Sequence, residues 1–169
     1  MAQLQLQREV LLTLVPMAKQ VASSRGATDR WRSQTINESA PISTGDSVKV
    51  KPDKTIEIPK SGLSLVESST FYVPTASNQE GFDSFIVHNK VLYIFQFTIA
   101  ASHDIKGGLM DFFSQEPFKE ILRGIKWHFI FVMPPRVEVE CRETSDERMK
   151  KVWKETRLFS ARLDPQYIV

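Results

Sequence analysis

The firmest hydrophobic pattern in the chain starts at Ser69. Three runs, Thr70-Phe71-Tyr72-Val73, residues 82–88 and residues 91–99, are rich in β-branched and aromatic side chains and are separated by turn-forming ones. That pattern predicts three consecutive strands. Only Asn89-Lys90 lies between the second and third, so those two are predicted to be antiparallel neighbours. The spacing then changes. Gly107 and Gly108 open a segment in which Leu109, Phe112, Phe113, Phe118, Ile121 and Leu122 recur at helical intervals, with a bend expected near Pro117. Residues 127–133 are an almost unbroken apolar run stopped by Pro134-Pro135, the pattern of a strand buried on both faces. Residues 137–141 are expected to extend a strand, 146–154 to form a short helix, and 158–163 to close the fold as an edge strand.

The earlier residues are patterned less sharply. Leu4, Leu11, Leu14, Val15, Ala18 and Val21 approach helical spacing, which predicts a kinked amphipathic helix over residues 3–22 with Pro16 as its interior break. Residues 23–47 are rich in Ser, Thr, Gly and Asn and read as a loop, with a turn of helix around Trp31. Lys51-Pro52-Asp53-Lys54 is a turn sequence between the β-prone residues 48–50 and 55–58, which predicts a peripheral hairpin. The expected fold class is therefore α/β with a mixed sheet, in the order helix, three strands, helix, strand. It is read as a single domain over 1–169, with an N-terminal helix (1–22), a loop and peripheral hairpin (23–65) and a core (66–164).

Composition narrows the function classes. A chain of 169 residues can bury a core without disulfides. With 22 basic and 20 acidic residues the net charge is only +2, so a nucleic-acid or membrane partner is not announced by overall charge and must rest on a local patch. Cys141 is the only cysteine, which excludes an internal disulfide and a cysteine-based zinc site and suits a reducing compartment. Arg8 and Glu9 interrupt the opening apolar residues, so neither a signal segment nor a membrane span is expected there. The protein is expected to be intracellular, cytoplasmic or nuclear, without a membrane partner. No Gly-x-x-x-x-Gly-Lys-Ser/Thr sequence is present, so a role beside an NTPase would place that NTPase elsewhere.

The candidate chemistry lies in the hairpin. Alternation along residues 91–99 puts Leu92, Ile94, Gln96 and Thr98 on one face and Tyr93, Phe95, Phe97 and Ile99 on the other. If Asn89-Lys90 is the two-residue turn, His88 pairs with Val91 and Asp83 comes opposite Gln96. A carboxylate, an amide and a hydroxyl then converge at one end of an apolar face. Two readings fit that arrangement. An Asp at the head of a strand caps a turn, and a buried Gln or Thr satisfies nearby backbone groups; alternatively, the polar intrusion carries function, because it costs free energy in an apolar strand. His103 either lines the same site or begins a loop capped by Asp104. His88 reads as a turn histidine and His128 as a partly exposed strand position, and Phe112, Phe113 and Trp127 read as core.

The run Phe82-Asp83-Ser84-Phe85, then Ile94-Phe95-Gln96-Phe97-Thr98, Ser102-His103 and Gly107-Gly108-Leu109, resembles the restriction-endonuclease-like module of Crinkler effectors and retrotransposon hot spot proteins, in particular their fungal relatives. Trp127-His128-Phe129-Ile130-Phe131-Val132 with Pro134-Pro135, and Leu158-Phe159-Ser160-Ala161, are similar to that module's closing strands, so the resemblance spans about residues 66–164. It implies a PD-(D/E)XK-like core and metal-assisted phosphodiester hydrolysis. In that scheme Asp83 matches the motif's aspartate, Gln96 its second metal ligand for Mg²⁺, and Thr98 the position of its lysine, with His103 beside them.

The chain departs from the general pattern at two of these positions. Gln96 offers a neutral oxygen and Thr98 no positive charge. His103 and Lys106 are candidates to substitute for the lysine, and Glu67 or Glu80 to add a carboxylate. Lys106, Arg148, Lys150, Lys151 and Lys154 are candidates for nucleic-acid contact. The alternative that the resemblance leaves open is a catalytically inactive module of the same fold that binds nucleic acid or a host or self protein.

Overall fold

The computed structural model describes residues 10–17, 19–22, 31–34, 47–50, 54–59, 61–75, 81–144 and 146–162. In chain order its early strands are β1 (Val10–Thr13), β2 (Val15–Pro16), β3 (Lys19–Ala22), β4 (Trp31–Gln34), β5 (Ser47–Val50) and β6 (Lys54–Ile58). Then follow β7 (Thr70–Pro74), β8 (Ser84–His88), β9 (Val91–Phe97) and β10 (Ser102–Asp104). The helices α1 (Gly108–Phe113) and α2 (Phe118–Ile121) lead to β11 (Lys126–Met133), β12 (Glu140–Arg142), α3 (Glu147–Glu155) and β13 (Arg157–Arg162). The fold is a mixed α/β one, rich in strands.

The predicted hairpin forms as its sequence requires. His88 pairs with Val91 across Asn89-Lys90, and the antiparallel ladder runs through to Ser84 opposite Phe95. Both turn residues take positive φ, 49° at Asn89 and 60° at Lys90, so that the turn's twist matches that of the strands. Asn tolerates that region and Lys does not, which makes Lys90 the strained member. Lys90→Gly is expected to stabilise the fold by about 1 kcal/mol in chemical denaturation; an unchanged midpoint would show that the turn carries no strain.

Around this hairpin the principal sheet has the order β2-β13-β11-β9-β8-β7-β6. Strands β7, β8 and β9 are antiparallel neighbours, whereas β11 runs parallel to β9 and β13 parallel to β11. The central β11 is buried on both faces, as its unbroken apolar run predicts: Phe129 and Phe131 face one side, Ile130 and Val132 the other. On the first side α1, α2 and α3 bring Leu109, Phe113, Phe118, Leu122, Met149 and Trp153 against Phe85, Leu92 and Ile94. On the second, Phe71, Ile86, Phe95, Phe159 and Ala161 form a separate buried cluster with Leu14. In α3, Met149 and Trp153 fall four residues apart on the buried face, and Asp146 caps the helix by accepting from the Arg148 amide at 2.9 Å.

Several expectations are corrected. Within residues 3–22 the described part is extended, not helical: β1 pairs with β5, β2 with β13 and β3 with β12 and β4. The few apolar positions there suit either period, and Pro16, which breaks a helix, is tolerated on the outer strand of the sheet because no ladder bond is needed from it. Trp31 lies in β4, paired with Ala22, and not in a turn of helix. The peripheral hairpin does not form, because β6 pairs in parallel with β7 and places Ile58 in the core, a burial that outweighs the local turn signal. The last strand, β13, is not an edge, since β2 covers it. The expected helix after Gly107 is two short ones, with a cis peptide between Glu116 and Pro117. The extension over residues 137–141 reduces to β12, which joins β10, β3 and β4 in a second sheet.

Candidate functional site

Parallel strands β9 and β11 end side by side, and β10 follows just beyond β9. In open α/β sheets that carboxyl end is where ligands bind, since the loops diverge there. Asp83 continues the hairpin one step past Ser84: its amide donates to the Phe95 carbonyl at 2.9 Å, and its Oδ2 accepts from the Phe97 amide at 2.7 Å. The carboxylate thus takes the place of a backbone acceptor, and the strand pairing itself ends at Ser84 opposite Phe95, short of the Asp83–Gln96 pair expected from the two-residue turn.

Gln96 presents the most unusual atom of the cluster. Its Oε1 is sealed from solvent and has no hydrogen-bond partner. Thr98, 8% exposed, is fixed by its amide to the Val132 carbonyl at 3.0 Å, and its hydroxyl accepts from the Ala100 amide at 3.0 Å and contacts His103 Nε2. His103 is carried on β10, which pairs in parallel with Cys141 of β12, and its ring lies against Phe131 with centroids 5.6 Å apart. The structure thus brings Thr98 and His103 into contact and Asp83 within electrostatic reach of His103, with Gln96 on the same strand as Thr98.

Their charges are coupled. Desolvation holds the Asp83 carboxyl above the usual carboxylate pKa, against the opposing pull of the Phe97 hydrogen bond and the attraction of His103. Desolvation likewise lowers the His103 pKa; Lys106 adds to that effect, while Asp104 and Asp83 oppose it. His103 is accordingly neutral at physiological pH.

Lys106 is near enough to His103 to act on its charge. It forms an ion pair with Asp104 at 2.7 Å. Glu67 is not beside the site. It is paired with Lys54, which stands level with Thr70, whereas Asp83 lies toward the Pro74 end of β7, roughly 13 Å further along at strand spacing. Glu80 lies outside the described residues. Arg148 is held between Asp111 of α1 and Asp146, and Lys150 is paired with Glu147; Lys151 and Lys154 are exposed. Gly107 is required where the loop passes this helix end, since a Cβ there would collide with Asp146 Oδ2. His88 is the last residue of β8, beside the turn, and is bonded to Ser69 Oγ at 2.8 Å.

Within the cluster Asp83 Oδ1 and Gln96 Oε1 make no hydrogen bond, nor does the neighbouring buried Ser84 Oγ, and all three are hard oxygen donors. No group of three or more His, Cys, Asp and Glu suited to a metal is gathered among the described residues. An unpaired buried acceptor costs about 1–3 kcal/mol. Gln96→Leu is thus expected to raise the melting temperature by about 2–4 °C while removing any rise that Mg²⁺ induces in the parent; a lower melting temperature would mean that the amide is structural.

His128 lies in β11 and is partly exposed, as its pattern predicts, but the sealing of its ring nitrogens was not foreseen from the sequence. Both its ring nitrogens are sealed and unpartnered, between the Tyr93 and Phe159 rings at 5.4 and 5.0 Å. The available signal was its place inside a run otherwise buried on both faces. The molecule is thus a strand-rich mixed α/β chain with a polar cluster at the carboxyl end of its parallel strands. No family model, curated protein or solved structure matches the chain. Among the described residues no helix is long and apolar enough to cross a membrane.

Proposed function

We propose that the chain is a nuclease-like module that engages the phosphodiester backbone of nucleic acid at Asp83, Gln96, Thr98 and His103 and hydrolyses it with Mg²⁺. The observation that carries this reading is the buried, unpaired Gln96 Oε1 on β9, next along the strand to the Phe97 amide that holds the desolvated Asp83 carboxylate, a costly arrangement that a bound cation would relieve. Chain order supports it too: three antiparallel strands, helices, then a strand parallel to the third match what the resemblance to Crinkler-type restriction-endonuclease-like modules implies.

Asp83 and Gln96 would hold the ion, which when bound lowers the pKa of water and screens the phosphate's charge. Asp83 is kept in place by the Phe97 amide, so its free oxygen has a fixed direction. Thr98 cannot supply the positive charge of a lysine, and Lys106 supplies it by leaving Asp104 for the phosphate. The test is incubation of plasmid DNA, single-stranded DNA and RNA with purified protein and Mg²⁺ or Mn²⁺. Metal-dependent cleavage is expected, and its absence in folded protein refutes the catalytic reading.

One observation favours a second reading, a noncatalytic binding module of the same fold for nucleic acid or a host or self protein. Two of the candidate basic side chains are already paired, Lys106 with Asp104 and Arg148 with Asp111 and Asp146. In that case oligonucleotide binds without being cut, or the surface takes a protein.

A further inference from the structure

We infer that Thr98 and His103 act as one unit, in which the Thr98 hydroxyl fixes the His103 ring in its Nδ1–H form and that N–H serves as a neutral donor to a phosphate oxygen. The inference rests on the phosphate-site reading above, and it follows from hydrogen-bond accounting at a buried hydroxyl. Thr98 Oγ1 has two neighbours. The Ala100 amide, at 3.0 Å, can only donate, so the oxygen accepts there. The hydroxyl proton then needs an acceptor, and leaving it without one in a residue 8% exposed costs about 1–3 kcal/mol. His103 Nε2 is the acceptor within reach among the described residues. Nε2 therefore carries the lone pair, and in a neutral ring the proton resides on Nδ1.

That second nitrogen is available. Nδ1 makes no hydrogen bond among the described residues and, unlike both nitrogens of His128, is not sealed from solvent. The ring cannot turn away easily, because Nε2 is tied to Thr98 and its face lies against Phe131. The charged groups that face it are Asp83 from the start of β8, Asp104 on its own strand and Lys106 just beyond. Burial keeps the ring neutral, so its donor is aimed in advance and needs no protonation to work. A threonine at the position where the nuclease pattern carries lysine then has a defined task. It does not replace the lysine's charge; it orients the imidazole that contacts the anion.

The experiment is long-range ¹H–¹⁵N correlation of the histidine rings near neutral pH, alone and with a short phosphorothioate oligonucleotide in Ca²⁺. His103 is expected to show a protonated Nδ1 and an unprotonated Nε2, with the Nδ1 signal shifting on addition of the oligonucleotide. Thr98→Ser is expected to keep this pattern and Thr98→Val to mix the two tautomers. His103→Ala should weaken oligonucleotide binding by about tenfold or more.

An Nε2–H ring in the parent overturns the inference, whether or not Thr98→Val folds. So does an unmoved Nδ1 signal while the Asp83 and Gln96 amides respond, although the phosphate site then stands. If no signal at Asp83, Gln96 or His103 moves, the phosphate-site reading itself fails and takes the inference with it.

Discussion

Asp83→Asn is expected to lower metal-dependent cleavage of nucleic acid by about 10³-fold or more while the protein stays folded. A metal acting as Lewis acid contributes several kcal/mol to such a reaction, and each 1.36 kcal/mol is a factor of ten. Asp83 is the carboxylate the sequence pattern assigns to the metal, so removing its charge leaves only a neutral amide and a hydroxyl of that set to attract a cation. Asparagine is the informative replacement because its Oδ1 still accepts from the Phe97 amide, the 2.7 Å bond that completes the hairpin. Alanine removes that acceptor as well and mixes a structural loss into the kinetic one. The variant should also lose any rise in melting temperature that Mg²⁺ gives the parent, because a cation stabilises only the state that binds it. Undiminished cleavage by a folded Asp83→Asn protein would remove Asp83 from the site.

The second large effect concerns stability and acid. His128 is held neutral: burial between aromatic rings lowers its pKa from 6.5 to about 4, and the nearby charges of Arg157 and Lys126 push the same way. Between those two values the unfolded chain binds a proton that the folded chain does not. Stability must therefore fall as the pH drops from 6.5 toward 4, and below about 4 this residue adds no further slope. The loss amounts to about 2–3 kcal/mol after allowance for partial solvent contact.

His128→Phe keeps a ring between Tyr93 and Phe159 and removes both unpartnered nitrogens. It is expected to be at least as stable as the parent at pH 7 and to lose less on acidification to pH 4.5, measured by chemical denaturation. Asp83 acts in the opposite direction: its raised pKa means that protonation on acidification favours the folded state. That contribution is common to both proteins, so the difference between the two pH profiles isolates His128. Parallel profiles would show that the imidazole meets water or a partner in solution.

The sequence by itself determined the hairpin and, through it, part of the candidate site. A two-residue turn and a period of two fix which residues pair without reference to anything distant, so the ladder from His88 opposite Val91 to Ser84 opposite Phe95 was legible from residues 82–99 alone. The same holds for β11 and α3, whose apolar spacing is long enough to select a single period.

Only the tertiary structure decided the rest, because the deciding partners lie far away along the chain. The apolar positions of residues 10–22 suit helix or strand equally, and the choice is made by pairing, as when Pro16 meets Phe159 and Lys19 meets Cys141. Thr98 reaches His103 because β10 leaves the sheet of β9 and joins β12. Arg148 meets Asp111 across two helices, and the His128 ring nitrogens are sealed between residues of neighbouring strands. Local pattern fixes which way a side chain faces; what it meets there depends on loop closures over many residues, whose outcome rests on the summed burial of the whole core.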